Sequence, residues 1–147
     1  MVKAIYFDMD GTLADLYAVD GWLADLEAHQ VRPYAEAKVM HNMSALARAI
    51  HKAQASGIKV GIISWLSKTA TAEYDKAVTD AKLQWLRAHL KSVTFDEVHI
   101  VRYGTPKSTL VSAGSILFDD EERNRLAWDK GCAYEPHEIF KILKKIS

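Results

Sequence analysis

Two pairs of carboxylates, one serine and one lysine stand out because each directly follows a short apolar run or a turn. The first pair lies in Asp8-Met9-Asp10-Gly11-Thr12, where two acids two residues apart, with a glycine behind them, share one tight turn. The second lies in Leu117-Phe118-Asp119-Asp120. Between them come Ile63-Ser64-Trp65, offering a hydroxyl and free backbone N–H groups, and Tyr103-Gly104-Thr105-Pro106-Lys107-Ser108, a turn that carries one lysine. Taken singly, each has an ordinary explanation. Asp can cap a turn, Asp120 with Glu121 and Glu122 can enrich a helix N-terminus, Ser64 can simply end a strand, and Lys107 can be a surface lysine. Gathered at one end of a sheet, four carboxylates would repel one another unless a cation neutralised them. Ligands that are all oxygen favour Mg²⁺ over zinc. The six histidines are scattered and form no ligand motif, and the P-loop spacing is absent around Lys107. A cation held by carboxylates suits an anionic ligand, for which Ser64 and Lys107 supply donors.

Hydrophobic periodicity predicts the elements that would position these groups. Ala4–Phe7, Ile58–Ile63, Val98–Val101 and Ser115–Phe118 read as buried strands, with a short fifth at Cys132–Tyr134. Val19, Trp22, Leu23 and Leu26 recur at helical spacing, giving a helix from about Val19 to His29 that Pro33 interrupts. A second helix carries Met43, Leu46, Ala47 and Ile50 under a Ser44 cap and stops at Gly57. A third runs from about Ala72 to Lys91, with Tyr74, Val78, Ala81 and Trp85 on one face. Another spans about Glu121 to Gly131, and the last opens at Pro136. Apolar strands alternating with amphipathic helices predict an α/β fold: a Rossmann-like parallel sheet of about five strands with helices on both faces. Ligands bind such sheets beyond the carboxyl ends of the strands, where Asp8, Ser64, Lys107 and Asp119 fall.

Composition sets the outer limits. The chain has 147 residues, of which 49% are hydrophobic and 26% charged, which suits one domain with its own core. Nineteen Lys and Arg balance nineteen Asp and Glu, so net charge gives no footprint for extended duplex nucleic acid or an anionic membrane. A single cysteine, Cys132, rules out a disulfide framework and suits a reducing cytoplasm. The longest apolar run, Val60–Leu66, is far short of the ~20 residues a membrane-spanning helix needs. The amino-terminal apolar stretch breaks at Asp8 and Asp10, a pattern that predicts no signal peptide.

The ordered set Asp8-x-Asp10-Gly11-Thr12, Ser64, Lys107 and Asp119-Asp120 resembles the four motifs of the haloacid dehalogenase (HAD) superfamily. Asp8 to Asp15 is similar to the 5′(3′)-deoxyribonucleotidase-like branch. The resemblance implies a phosphatase in which Asp8 is the nucleophile and Asp10 the general acid–base. It implies Mg²⁺ held by Asp8, the backbone carbonyl of Asp10, and Asp119, with support from Asp120. Ser64, the backbone N–H groups around Trp65, and Lys107 would bind the phosphate. It also implies a single HAD-like domain with a small cap inserted at about residues 14–42. The expected partner is a small phosphorylated substrate: a nucleotide, a sugar phosphate or the phosphorylated end of a polynucleotide. Trp65 is the expected base-stacking residue, whereas Trp22 is expected to pack inward. A non-catalytic phosphate-accepting module is the alternative in another class, though in receiver domains the acidic pair precedes the lysine, and here it follows Lys107.

Overall fold

A computed structural model describes residues 1–147. Strands β1 (Ala4–Phe7), β4 (Lys59–Trp65), β5 (Glu97–Val101), β6 (Ser115–Phe118) and β7 (Ala133–Tyr134) form one sheet in the order β5-β4-β1-β6-β7, with every pairing parallel. β1 is central and all four of its residues are buried, which is why it reads as a continuous apolar run instead of an alternating one. A second, two-stranded antiparallel ribbon joins β2 (Ala14–Asp15) to β3 (Lys38–Val39). It ties together the two ends of residues 14–42.

Alternation along the strands divides the core in two. Ile5, Phe7, Ile62 and Phe118 point to one face, where they meet Leu46 and Ile50 of α3 (Met43–Ala55), Trp85 and Leu86 of α4 (Ala72–His89), and Ile139 and Leu143 of α6 (Ile139–Ile146). Phe7 and Phe118 stack with ring centroids 5.3 Å apart. Tyr6, Ile63 and Leu117 point the other way, against Trp128 and the partly buried Leu110 and Val111. This second face is covered by shorter pieces, a 3₁₀ turn at Lys107–Leu110 and the segment around α5 (Glu122–Ala127).

Several boundaries differ from the sequence expectation, each for a local reason. The helix expected from Val19 to His29 is confined to α1, Trp22–Glu27, after Gly21 at φ +72° and before His29 at φ +56°. None of its residues is fully buried: Trp22, Leu23 and Leu26 line a cavity, and of these Leu26 also packs against the small cluster of Leu16, Tyr34, Tyr74 and Val78. Pro33 opens a helix instead of interrupting one. It sits in the first turn of α2 (Arg32–Glu36), where its missing N–H has no intrahelical acceptor to lose. Asn42, not Ser44, caps α3, its side-chain oxygen accepting the Ala45 N–H at 3.0 Å. The helix after Asp120 ends at Ala127, and Pro136 opens a 3₁₀ turn ahead of α6.

Leu46 is fully buried, whereas Leu126 is 78% exposed. In urea denaturation, Leu46→Ala should cost about 2–5 kcal/mol through lost burial and a residual cavity. Leu126→Ala should stay within about 0.5 kcal/mol of the parent. Equal effects would contradict this core assignment.

Candidate active site

Strand register brings the acids together. Phe7 of β1 is level with Ile62 of β4 and Phe118 of β6, so the next residues, Asp8, Ile63 and Asp119, emerge side by side. The Asp8 N–H donates to the Phe118 carbonyl at 2.9 Å, continuing the ladder one step past the strand. The chain then turns sharply. Thr12, Leu13 and Ala14 all donate their N–H groups to the Met9 carbonyl, at 3.1, 2.9 and 2.9 Å. Gly11 makes this turn at φ +80°, and a Cβ there would collide with the Asp120 carboxylate. Thr12 binds the two acidic segments to each other: its hydroxyl lies 3.1 Å from Asp8 Oδ2 and accepts the Asp120 N–H at 3.2 Å.

Lys107 is the centre of the cluster. Its Nζ donates to Asp8 Oδ1 at 2.9 Å, Asp119 Oδ2 at 2.7 Å and the Ile63 carbonyl at 3.0 Å. Burial opposes its charge, but Asp8 and Asp119 outweigh burial and hold its pKa above the ordinary lysine value. The other Asp119 oxygen, Oδ1, accepts the Glu121 N–H at 2.9 Å. Burial, followed by the charge on Asp8, pushes Asp119 up to about 6. Asp120 rises to about 8 from burial first, then Asp8 and Asp119. Burial also pushes Asp10 above the usual carboxylate range, against the opposing pull of Lys82.

Oxygen atoms of Asp8, Asp119 and Asp120 all lie within 4.8 Å of one another. No backbone N–H is bonded to the Asp10 carbonyl oxygen. Three crowded carboxylates, of which Asp119 and Asp120 have raised pKa values, and an unengaged carbonyl make a donor set that fits a hard divalent cation. A second group, Glu135, His137 and Glu138, is largely exposed and is explained by the capping box in which Glu135 and Glu138 bond reciprocally ahead of α6.

Above the acids opens a cavity of about 380 Å³. Asp8, Asp10, Lys107, Asp119 and Asp120 border it on the sheet side, and residues 14–42 supply Leu16, Tyr17, Trp22, Leu23, Leu26 and Tyr34. Trp22 therefore does not pack into the core as expected. It lines the cavity, in edge contact with Tyr17 at 4.9 Å between ring centroids. Trp65 also lines the cavity, but its indole N–H is engaged by the Thr105 carbonyl at 2.8 Å, and the Arg123 guanidinium lies over its ring at 4.9 Å. Ser64 is fully buried and does not border the cavity.

Sequence reasoning missed Lys82. Only 1% exposed, it reaches from α4 to Asp10 Oδ2 at 2.9 Å, Ser64 Oγ at 2.6 Å and the Trp65 carbonyl at 2.7 Å. The signal was present: residue 82 lies four after Val78 and three before Trp85, so a lysine stands on the apolar face of its helix.

No protein-family model matches the chain, and no curated protein sequence matches it. Among solved structures it is similar to D,D-heptose 1,7-bisphosphate phosphatase from Burkholderia thailandensis, at 17% identity and a TM-score of 0.52, over 85% of this chain and 70% of that one. It is also similar to the D,D-heptose 1,7-bisphosphate phosphatase from B. bronchiseptica complexed with magnesium and phosphate, at 18% identity and a TM-score of 0.54, over 90% of this chain and 79% of that one. A Mesorhizobium loti protein assigned to the HAD-like phosphatases aligns at 20% identity and a TM-score of 0.54, over 86% of this chain and 66% of that one. At these identities the likeness is one of architecture, and the chain has the α/β fold of the HAD-like phosphatases.

Proposed function

We propose that the chain is a Mg²⁺-dependent phosphomonoester hydrolase that works through an aspartyl-phosphate on Asp8. The observation that carries this reading is the convergence of Asp8, Asp10, Lys107, Asp119 and Asp120 at one mouth of the sheet, beside a cavity. An Asp8 oxygen attacks phosphorus while the bond from phosphorus to the leaving oxygen breaks. Asp10, whose raised pKa suits it to carry a proton, delivers that proton to the departing oxygen. Water then attacks the aspartyl-phosphate, giving its proton to Asp10, and the bond between phosphorus and Asp8 breaks to release phosphate. Asp8, Asp119, the Asp10 carbonyl and, in support, Asp120 would hold Mg²⁺, which offsets repulsion between the nucleophile and the phosphate. Lys107 neutralises Asp8 and Asp119 from below and offers charge to the phosphoryl oxygens. Ser64, buried beneath the cavity floor, contributes through the strand end it anchors.

Residues 14–42 act as the cap of a single domain, and the substrate is proposed to be a nucleoside monophosphate. Tyr17 and Trp22 support this, as an aromatic pair facing the cavity where a base can pack. They suit that role better than Trp65, whose ring already carries Arg123. A sugar phosphate is the second reading, favoured by the heptose bisphosphates on which two of the similar structures act. The lone free cysteine is compatible with a cytoplasmic setting, and no helix is long and apolar enough to cross a membrane.

Three outcomes test this reading. Asp8→Asn should abolish phosphate release while leaving the circular dichroism spectrum unchanged, and chelation of divalent cations should abolish it in the parent. Trp22→Ala should reduce kcat/KM on a nucleoside monophosphate roughly tenfold or more, with a smaller loss on glycerol phosphate, because a stacked base contributes on the order of 1–3 kcal/mol. The third concerns pH. Asp119 and Asp120 have folded pKa values above their unfolded ones, so their stabilising contribution is complete below the unfolded pKa and is lost as pH rises through about 6 and about 8. Mg²⁺ binds the ionised carboxylates and reverses that loss. The rise in Tm on adding Mg²⁺ should therefore grow from about pH 5.5 to about pH 8.5. A rise that shrinks over this range would contradict the assigned ligands.

A further inference from the structure

Lys82 is a buried cation outside the set of residues that border the cavity, and its three ammonium donors are all used. They go to Asp10 Oδ2, Ser64 Oγ and the Trp65 carbonyl. These partners come from two separate segments, the turn after β1 and the end of β4, while Lys82 itself comes from α4. The ring of Tyr34, from residues 14–42, lies 5.1 Å from the ammonium. Burying an ammonium group is costly, and an apolar side chain on this helix face would fill the space without that cost. The arrangement becomes intelligible from what it does to Asp10. Lys82 fixes Oδ2 at 2.9 Å, whereas Oδ1 receives no hydrogen bond from the protein and Asp10 borders the cavity.

We propose that Lys82 is a positioning residue that locks the Asp10 carboxyl group so that its free oxygen, Oδ1, presents the proton to the leaving group. The proposal rests on the acid–base role of Asp10 set out above. Lys82 touches neither the substrate nor the reacting atoms. The proton on Asp10 Oδ1 passes to the ester oxygen as the bond to phosphorus breaks, and is replaced from the attacking water in the second step. The three bonds to Lys82 persist through both. The same anchor fixes Ser64 and the Trp65 carbonyl, so the floor of the phosphate site and the acid are held by one group.

Leaving-group dependence separates this role from a structural one. Departure of p-nitrophenolate needs little protonation, whereas departure of an alkoxide needs it. Both substrates are compared by kcat/KM, which reports only the steps up to departure, so hydrolysis of the aspartyl-phosphate does not enter. For Lys82→Met, kcat/KM on a nucleoside 5′-monophosphate, or on an alkyl phosphate the parent hydrolyses better, should fall ~10²-fold or more, and on p-nitrophenyl phosphate less than about tenfold. Asp10→Asn, measured alongside, should show the same selectivity. Lys82→Arg keeps the buried charge, and therefore the fold, but moves the carboxyl group; it should show the selective loss in milder form even where Lys82→Met is unstable. Equal losses on both substrates in the Lys82 variants, with selectivity retained in Asp10→Asn, would overturn the positioning role alone. Absence of selectivity in Asp10→Asn as well would overturn the acid–base role of Asp10 and the proposal with it.

Discussion

The site is built around one electrostatic constraint: four carboxylates, Asp8, Asp10, Asp119 and Asp120, are crowded at the ends of the adjacent strands β1 and β6 against only two ammonium groups. Lys107 is wedged between Asp8 and Asp119, and Lys82 holds Asp10. With all four acids ionised, the cluster carries two negative charges in excess, at depths where water screens little. Burial first, and then the charge of the neighbouring acids, holds the pKa values of Asp10, Asp119 and Asp120 above the usual carboxylate range. A divalent cation would remove the excess charge, and Lys107, which borders the cavity, would remain beside an anionic ligand bound there.

The sheet exists to make that crowding possible. Lys107 bonds one atom group on each of three adjacent strand ends, Asp8, Ile63 and Asp119, because the parallel register sets those three residues level. A shift of one residue in either pairing would turn Asp8 or Asp119 to the wrong face of the sheet. The core beneath, from Phe7 stacked on Phe118 to Leu46 and Ile139, therefore fixes register as much as it supplies stability. The helices over residues 14–42 close the opposite side. Three side chains hold them to the rest of the chain, Thr69 on the Leu26 carbonyl, Tyr74 on Gln30 and Trp85 on Ala37, at 3.1, 2.8 and 2.8 Å.

The four motif segments were legible because each is a short local pattern: an apolar run that ends in a residue with obvious chemistry. The bounds of β1 and β6 are legible to the residue, since their fully buried runs begin and end abruptly. What escaped was set by tertiary context. Lys82 lies in the middle of a helix, and only the packing of α4 against the end of β4 turns a lysine on an apolar face into a partner of Asp10. Trp22 escapes because helical spacing shows that a face is apolar without saying whether a core or a cavity lies opposite. The β2–β3 ribbon has two residues in each strand, too few to leave a period in the sequence. Pro33 looks like a break in sequence because its position within a helix turn, first or later, is invisible until the preceding residues are placed.

The central claim is that Asp8 becomes covalently phosphorylated. On this proposal, p-nitrophenyl phosphate should still phosphorylate Asp8 in Asp10→Asn, because its leaving group needs little help, while the hydrolytic water would lack its general base. Intact-protein mass spectrometry of that variant, quenched in acid after incubation with p-nitrophenyl phosphate and Mg²⁺, measures the claim directly. The account predicts the added mass of one phosphoryl group, mapped by peptide analysis to Asp8 and lost on treatment with base. A variant that releases p-nitrophenolate without acquiring that mass, or that carries it on a residue other than Asp8, would contradict the account.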